Sequence, residues 1–185
     1  MIVFNAIILK LEGNTGVAAL RCSGQYIACD CCGSLRVLHQ GVQPLISTFY
    51  GGGNDKQART VLRYAMTTML TISCAVYLLI FVFARPITTV FNSENNTELQ
   101  RIAVQGLKLY FLSVVFVGYN SILATFFTSI EKALPAHILS VLRGLILIIP
   151  IAFFLSALWE MTGVWLTYPI TEFLVALLGF IMYQH

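Results

Sequence analysis

Charge is what this sequence has least of. Lys, Arg, Asp and Glu together make up 10% of its 185 residues, the net charge is +3, and no basic stripe runs along any segment. A nucleic-acid partner needs such a stripe and is not expected. Against that scarcity stand a hydrophobic content of 58% and a mean hydropathy of +0.82. A soluble core of this length has no room for so much apolar surface, so the composition is that of an integral membrane protein in a lipid bilayer. The patterns that mark enzymes are missing too: there is no H-E-x-x-H, no G-x-S-x-G and no pair of intramembrane aspartates, so neither an enzymatic activity nor a cofactor is expected. No internal repeat is visible. The opening "MIVFNAIILKLEG" has no basic leader and no small-residue cleavage site, so it reads as the last turns of a helix rather than as a signal peptide.

What is present are long apolar runs. Tyr64 to Ala84 gives 21 uncharged residues and Leu109 to Ile130 gives 22, each enough to cross about 30 Å of hydrocarbon as a helix. Two further spans follow if one charge each is tolerated: Ile138 to Trp159 contains Arg143, and Met161 to Tyr183 contains Glu172. The segments between, "YGGGNDKQART", "RPITTVFNSENNTELQR", "SIEKALPAH" and "ALWEMTG", are short and rich in Gly, Pro, Asn or charge, as connectors are. The organisation predicted is a single all-α membrane domain, a bundle of about five to six transmembrane helices. Its parts are the end of a helix at 1–12, a disturbed and then kinked helix at 17–50, and helices at 62–85, 103–130, 136–158 and 161–183. Charge does not orient it. Lys56, Arg59, Arg63 and Lys132 share one side, Lys10, Arg85, Arg101 and Lys108 the other, and the positive-inside rule is left undecided.

One stretch does not belong. "RCSGQYIACDCCGSLRVLHQ", residues 21–40, crowds four cysteines and several charges into a place where an apolar helix is needed. A zinc site would draw on Cys29, Cys31, Cys32 and His39, but the paired C-x-x-C knuckles of such sites are absent, and no metal is expected. The genetic code offers another explanation. A cysteine codon read one nucleotide later always encodes Val or Ala, and codons allowed for Leu20 to Ser34 then include an apolar segment. The hypothesis is a local frameshift over residues 21–39. Resequencing tests it, and a shifted frame rich in charge or stops would sink it. Translated as written, Arg21, Asp30 and Arg36 weaken membrane insertion by roughly 2.5 to 3.5 kcal/mol for each charge near the helix centre.

The stretch that follows, "GVQPLISTFYGGGN", resembles the kinked helix and cytoplasmic loop of the multidrug and toxic compound extrusion (MATE) transporters. The resemblance continues in order through "FNAIILKLEG" before it and "GYNSILATFFTSIEKALPA", "LSVLRGLILIIP" and "GVWLTYPITEF" after it, and it lapses only over residues 21–39. It implies one lobe of a twelve-helix transporter, the second of two six-helix lobes, in the plasma (inner) membrane, with "GGGNDKQARTVLR" and "SIEKALPAH" cytoplasmic. Met1 is then expected to mark a truncated or split reading frame whose N-terminal lobe is encoded upstream or separately. The implied function is antiport of drugs or other organic cations against sodium ions or protons. Prokaryotic members hold their proton-binding aspartate in the first lobe, so the coupling ion stays unassigned. A lipid-linked oligosaccharide flippase of the same superfamily, or a membrane fragment without transport, are the other readings.

Seven residues are candidates for the substrate and ion pathway. Glu172, three residues after Pro169 and deep in a span, reads as a coupling or substrate-facing carboxylate, or as the partner of a neighbouring helix. Arg143 reads as an interfacial anchor that snorkels, with ion or substrate gating as the alternative. Gln43 and Pro44 combine a polar side chain with a helix kink where a cavity can open. Asn5, Tyr119 and Asn120 either line that cavity or bond neighbouring helices. His137 reads as interfacial, and the aromatics from Phe111 to Phe127 as lipid-facing or core.

Overall fold

Residues 2–20, 40–92, 96–131 and 133–184 are described by the computed structural model. The cysteine-rich stretch 21–39, and with it the zinc and frameshift readings, lies outside the described residues. Helix α1, Ile2–Leu20, is broken at Gly13, where φ of 60° and ψ of −147° leave helical space within the polar "GNTG" turn. Helix α2 covers 40–51. It ends in a Schellman motif: Asn54 N–H reaches Phe49 O at 2.9 Å and Gly53 N–H reaches Tyr50 O at 3.0 Å, with Gly53 at φ 71°. Only a residue without Cβ takes that left-handed position cheaply, which is what the glycine run provides.

Helix α3 runs from Asp55 to Phe91, well beyond the span 62–85 that hydropathy predicts. Two local devices lengthen it. At the start the Asn54 side chain caps Gln57 N–H. Near the end the helix continues past Pro86, where Thr88 Oγ1 bonds Ala84 O at 2.9 Å and Thr89 Oγ1 bonds Arg85 O at 2.9 Å. Helix α4, Thr97–Phe111, begins six residues before the predicted 103 because Asn96 caps Glu98 N–H and Leu99 N–H. A single turn residue, Leu112, separates it from α5, Ser113–Ser129. Gln100 beside Thr88, Lys108 over the Phe81 ring and Gly118 against Ser73 show that α4 and α5 together run antiparallel to α3.

Helix α6, Ala133–Val141, passes through a π-helical turn, Leu142–Ile146, into α7, Ile148–Gln184. Within α7, Trp159 (φ −126°) and Glu160 (φ 48°) are not helical. The chain reverses there. Leu139 meets Gly179, Arg143 meets Glu172, and Leu155 meets Gly163, a pairing only antiparallel segments give. The turn is so tight that a Cβ on Gly163 would come 1.9 Å from Leu155 O. Among the described residues three stretches can cross a membrane by length and composition, Asp55–Val90, Thr97–Ser129 and Leu134–Gln184, and the reversal divides the last into two crossings.

Among the described residues two clusters form the interior. The larger joins α2, α3, α4, α5, α6 and α7 through Ile46, Met69, Phe111, Leu123, Leu139 and Val175. The smaller, Ile8, Ile102, Ala103, Val164 and Trp165, ties α1 to α4 and to the start of the second arm of α7. Outside, Leu78, Val82, Phe83, Phe153 and Phe154 stand exposed. Such a surface is a liability in water and is what lipid requires.

Candidate functional site

The second arm of α7 presents one polar group after another to the interior. Thr167 Oγ1 bonds back to Gly163 O at 2.9 Å and Thr171 Oγ1 to Thr167 O at 2.8 Å, so both hydroxyls are satisfied within the helix. Glu172, one residue on, has no such local solution. It is 1% exposed, and its partners come from elsewhere. Asn120 on α5, itself 3% exposed, donates from Nδ2 to Glu172 Oε2 at 2.8 Å and to the Glu172 main-chain oxygen at 2.9 Å. One amide therefore grips both the side chain and the backbone of the same residue.

The other carboxylate oxygen is left short. Glu172 Oε1 and Asn120 Oδ1 are both buried and make no hydrogen bond among the described residues. What Oε1 has is charge: Arg143 Nε lies 3.8 Å away, an ion pair beyond hydrogen-bond reach. The pair is unequal, since the Arg143 side chain is 37% exposed and that of Glu172 only 1%. At 3.8 Å and an effective dielectric of 20 the attraction is about 4 kcal/mol, less where solvent reaches the guanidinium. Desolvation opposes it with several kcal/mol per buried ion.

The structure thus brings together three of the seven sequence candidates, Glu172, Asn120 and Arg143, and it does so inside the bundle rather than on an open cavity wall. Tyr119 is half-buried beside a different feature, a groove of about 250 Å³ lined by Leu70, Phe116, Phe173 and Phe180. Gln43 and Pro44 are exposed on α2. The Gln43 carbonyl lies 3.4 Å from Ser129 Oγ, nine residues along α5 from Asn120, or about 13 Å at 1.5 Å per residue. Asn5 belongs to α1, and its side chain lies outside the described residues. His137 is exposed. Among the described residues no group of three or more His, Cys, Asp or Glu is gathered to hold a metal.

Sequence reasoning missed the π-turn that carries Arg143. Leu147 N–H bonds Leu142 O at 3.0 Å, five residues back, and none of the turn's five residues is buried. The signal was Pro150, which has no amide hydrogen to offer the carbonyl of Ile146 and so favours a widened turn just before it.

Comparison with known proteins gives concordant results. The sequence matches the model of the family described as MatE over residues 1–154. No curated protein gives a significant match. The fold is similar to that of a multidrug resistance MATE family transporter of the MOP superfamily in its outward-facing conformation, with a TM-score of 0.90 at 19% identity over 100% of this chain and 41% of that one. A MOP superfamily transporter from Pyrococcus furiosus gives 0.88 at 20% identity, covering 100% and 41%. A Vibrio cholerae MATE transporter gives 0.86 at 18%, covering 99% and 42%. At such identities the likeness is one of fold, and the chain spans about two-fifths of the length of these transporters.

Proposed function

The chain belongs to the MatE family, and from that premise we propose that it is one lobe of a multi-pass membrane antiporter that exports drugs or other organic cations in exchange for sodium ions or protons. A second lobe, from a separate or upstream coding segment, is its partner, and the substrate site lies between the two. Coupling rests on Glu172. The observation that carries this is a carboxylate 1% exposed within a spanning helix, with one oxygen that accepts no hydrogen bond among the described residues. Intramembrane carboxylates are expensive to keep and mark ion and proton pathways. Here a proton or a sodium ion supplies what Oε1 lacks, and its release drives the lobe between its two states.

The test is transport. The chain, co-expressed with a matching first lobe and reconstituted in liposomes, is expected to move a fluorescent organic cation when a sodium or proton gradient is imposed. Glu172→Gln should abolish the dependence on the gradient while leaving protein abundance near normal. Transport by that variant with unchanged response to pH and sodium would reject the coupling role.

A further inference from the structure

We propose that Arg143 is a tethered competitor for the carboxylate of Glu172: an internal cation that occupies the site when no external cation does, is displaced outward when one arrives, and so sets which cations gain access. The inference rests on the reading of Glu172 as the coupling group.

The argument comes from how differently the two partners are held. Glu172 is fixed, because Asn120 bonds both its Oε2 and its main-chain oxygen and the residue is buried. Arg143 is not. It stands in a five-residue π-turn with no buried member, its side chain makes no hydrogen bond among the described residues, and 37% of that side chain is already exposed. Turns of this kind are a recurrent feature of functional sites. When the pair separates, the guanidinium is therefore the group that leaves, with a long flexible stem that carries it towards solvent. The carboxylate stays buried with Oε1 lacking a donor among the described residues, an open acceptor that suits a small cation or a proton.

Other charges do not take this role. From α5 the group that faces it is neutral, Asn120. His137 on α6 is exposed, Lys108 on α4 is engaged over the Phe81 ring of α3 at 4.3 Å, and Lys10 on α1 is exposed. Arg143 is the one cationic group within 4.0 Å of Glu172 among the described residues. A cation entering the site must outcompete it, so weakly bound cations are refused, and a vacant site presents no unpaired buried charge.

Arginine modification reads this directly and needs no transport. The full chain in lipid nanodiscs is treated with phenylglyoxal, and the rate at Arg143 is measured by mass spectrometry relative to the exposed Arg59 and Arg63. Sodium chloride is compared with N-methylglucamine chloride at equal ionic strength, tetraphenylphosphonium with its absence, and pH 8.5 with pH 7. At least one of the three is expected to raise the relative rate about five-fold, identifying the competitor as sodium, organic cation or proton. Glu172→Gln should show that raised rate throughout and respond to none of them. A wild-type rate indifferent to all three would overturn the proposal, and this arm stands even if the variant fails to fold. A variant rate equal to that of the untreated wild type would overturn it as well. Loss of gradient-driven transport in Glu172→Gln with Arg143 unreleased would refute this inference and leave the coupling role intact. Release of Arg143 with coupling preserved would do the reverse.

Discussion

At the scale of single residues, the unequal burial of Arg143 and Glu172 predicts unequal effects of removing them. Arg143→Gln leaves a buried carboxylate without its counter-charge and is expected to destabilise the chain by up to about 3 kcal/mol, whereas Glu172→Gln removes the buried charge and keeps an acceptor for Asn120, losing about 1 kcal/mol. The double variant should be more stable than Arg143→Gln alone. Denaturant unfolding in detergent measures all three, and additive losses would mean that the two side chains do not interact. Glycines predict a second contrast. Gly163→Ala drives a Cβ into the Leu155 carbonyl and should cost about 3 kcal/mol or more, while Gly144→Ala meets nothing within 4 Å and should be neutral or slightly stabilising. The charges themselves were legible in the sequence, since a lone Arg and a lone Glu stand out in apolar runs. Their pairing was not: the break between the spans ending at Trp159 and beginning at Met161 was legible, but which residues of the two antiparallel arms, 29 positions apart, come face to face depends on the tightness of the turn and the rotation of each arm. Asn120 was legible as polar and embedded, but which of its two readings holds depends on the rotation of α5 against α7, and packing sets that.

At the scale of elements, hydropathy locates the middle of each span and says little about its ends. The ends here are set by side-chain chemistry: Asn54 and Asn96 as caps, and the Thr88 and Thr89 hydroxyls past Pro86. That chemistry also joins helices. Gln100 Nε2 on α4 lies 2.7 Å from Thr88 Oγ1 and 3.0 Å from Thr89 Oγ1 on α3, and Asn92 Nδ2 bonds Gln100 Oε1 at 3.1 Å. Gln100→Leu removes this clasp and should lower stability by about 1 to 2 kcal/mol. Hydrogen exchange should rise around residues 85–92 and stay unchanged in α5; protection left as it was would show that the clasp carries no load. For α2, the exposed Pro44 keeps one amide hydrogen out of the helix, and Thr48 Oγ1 bonds its carbonyl at 2.8 Å. In an assembled transporter Pro44→Ala is predicted to slow transport several-fold with little effect on insertion, because a helix that must bend differently in two states is stiffened by the restored donor. An unaltered rate would make the proline structural only.

At the scale of the whole molecule, the chain expressed alone is predicted not to transport, since alternating access needs two bundles moving around a site between them and one lobe supplies a single wall. Gradient-driven uptake of a fluorescent organic cation by liposomes holding this chain alone would contradict that. The reversal at Glu160 has a consequence at this scale as well. Sidedness in a membrane depends on whether the number of crossings is odd or even, and a single apolar stretch of 51 residues, counted by length, contributes one. Folded at Glu160 it contributes two, which returns the end of α7 to the side from which α6 departed. The ends of α2, α5 and α7 do converge there, with Tyr50, Ile130 and Gln184 around one cleft. Green fluorescent protein inserted after Glu131 and, separately, after Gln184 should therefore report the same compartment. A glutamate held in a left-handed backbone conformation thus fixes the parity of the chain, and with it the compartment that meets whatever is attached beyond residue 184.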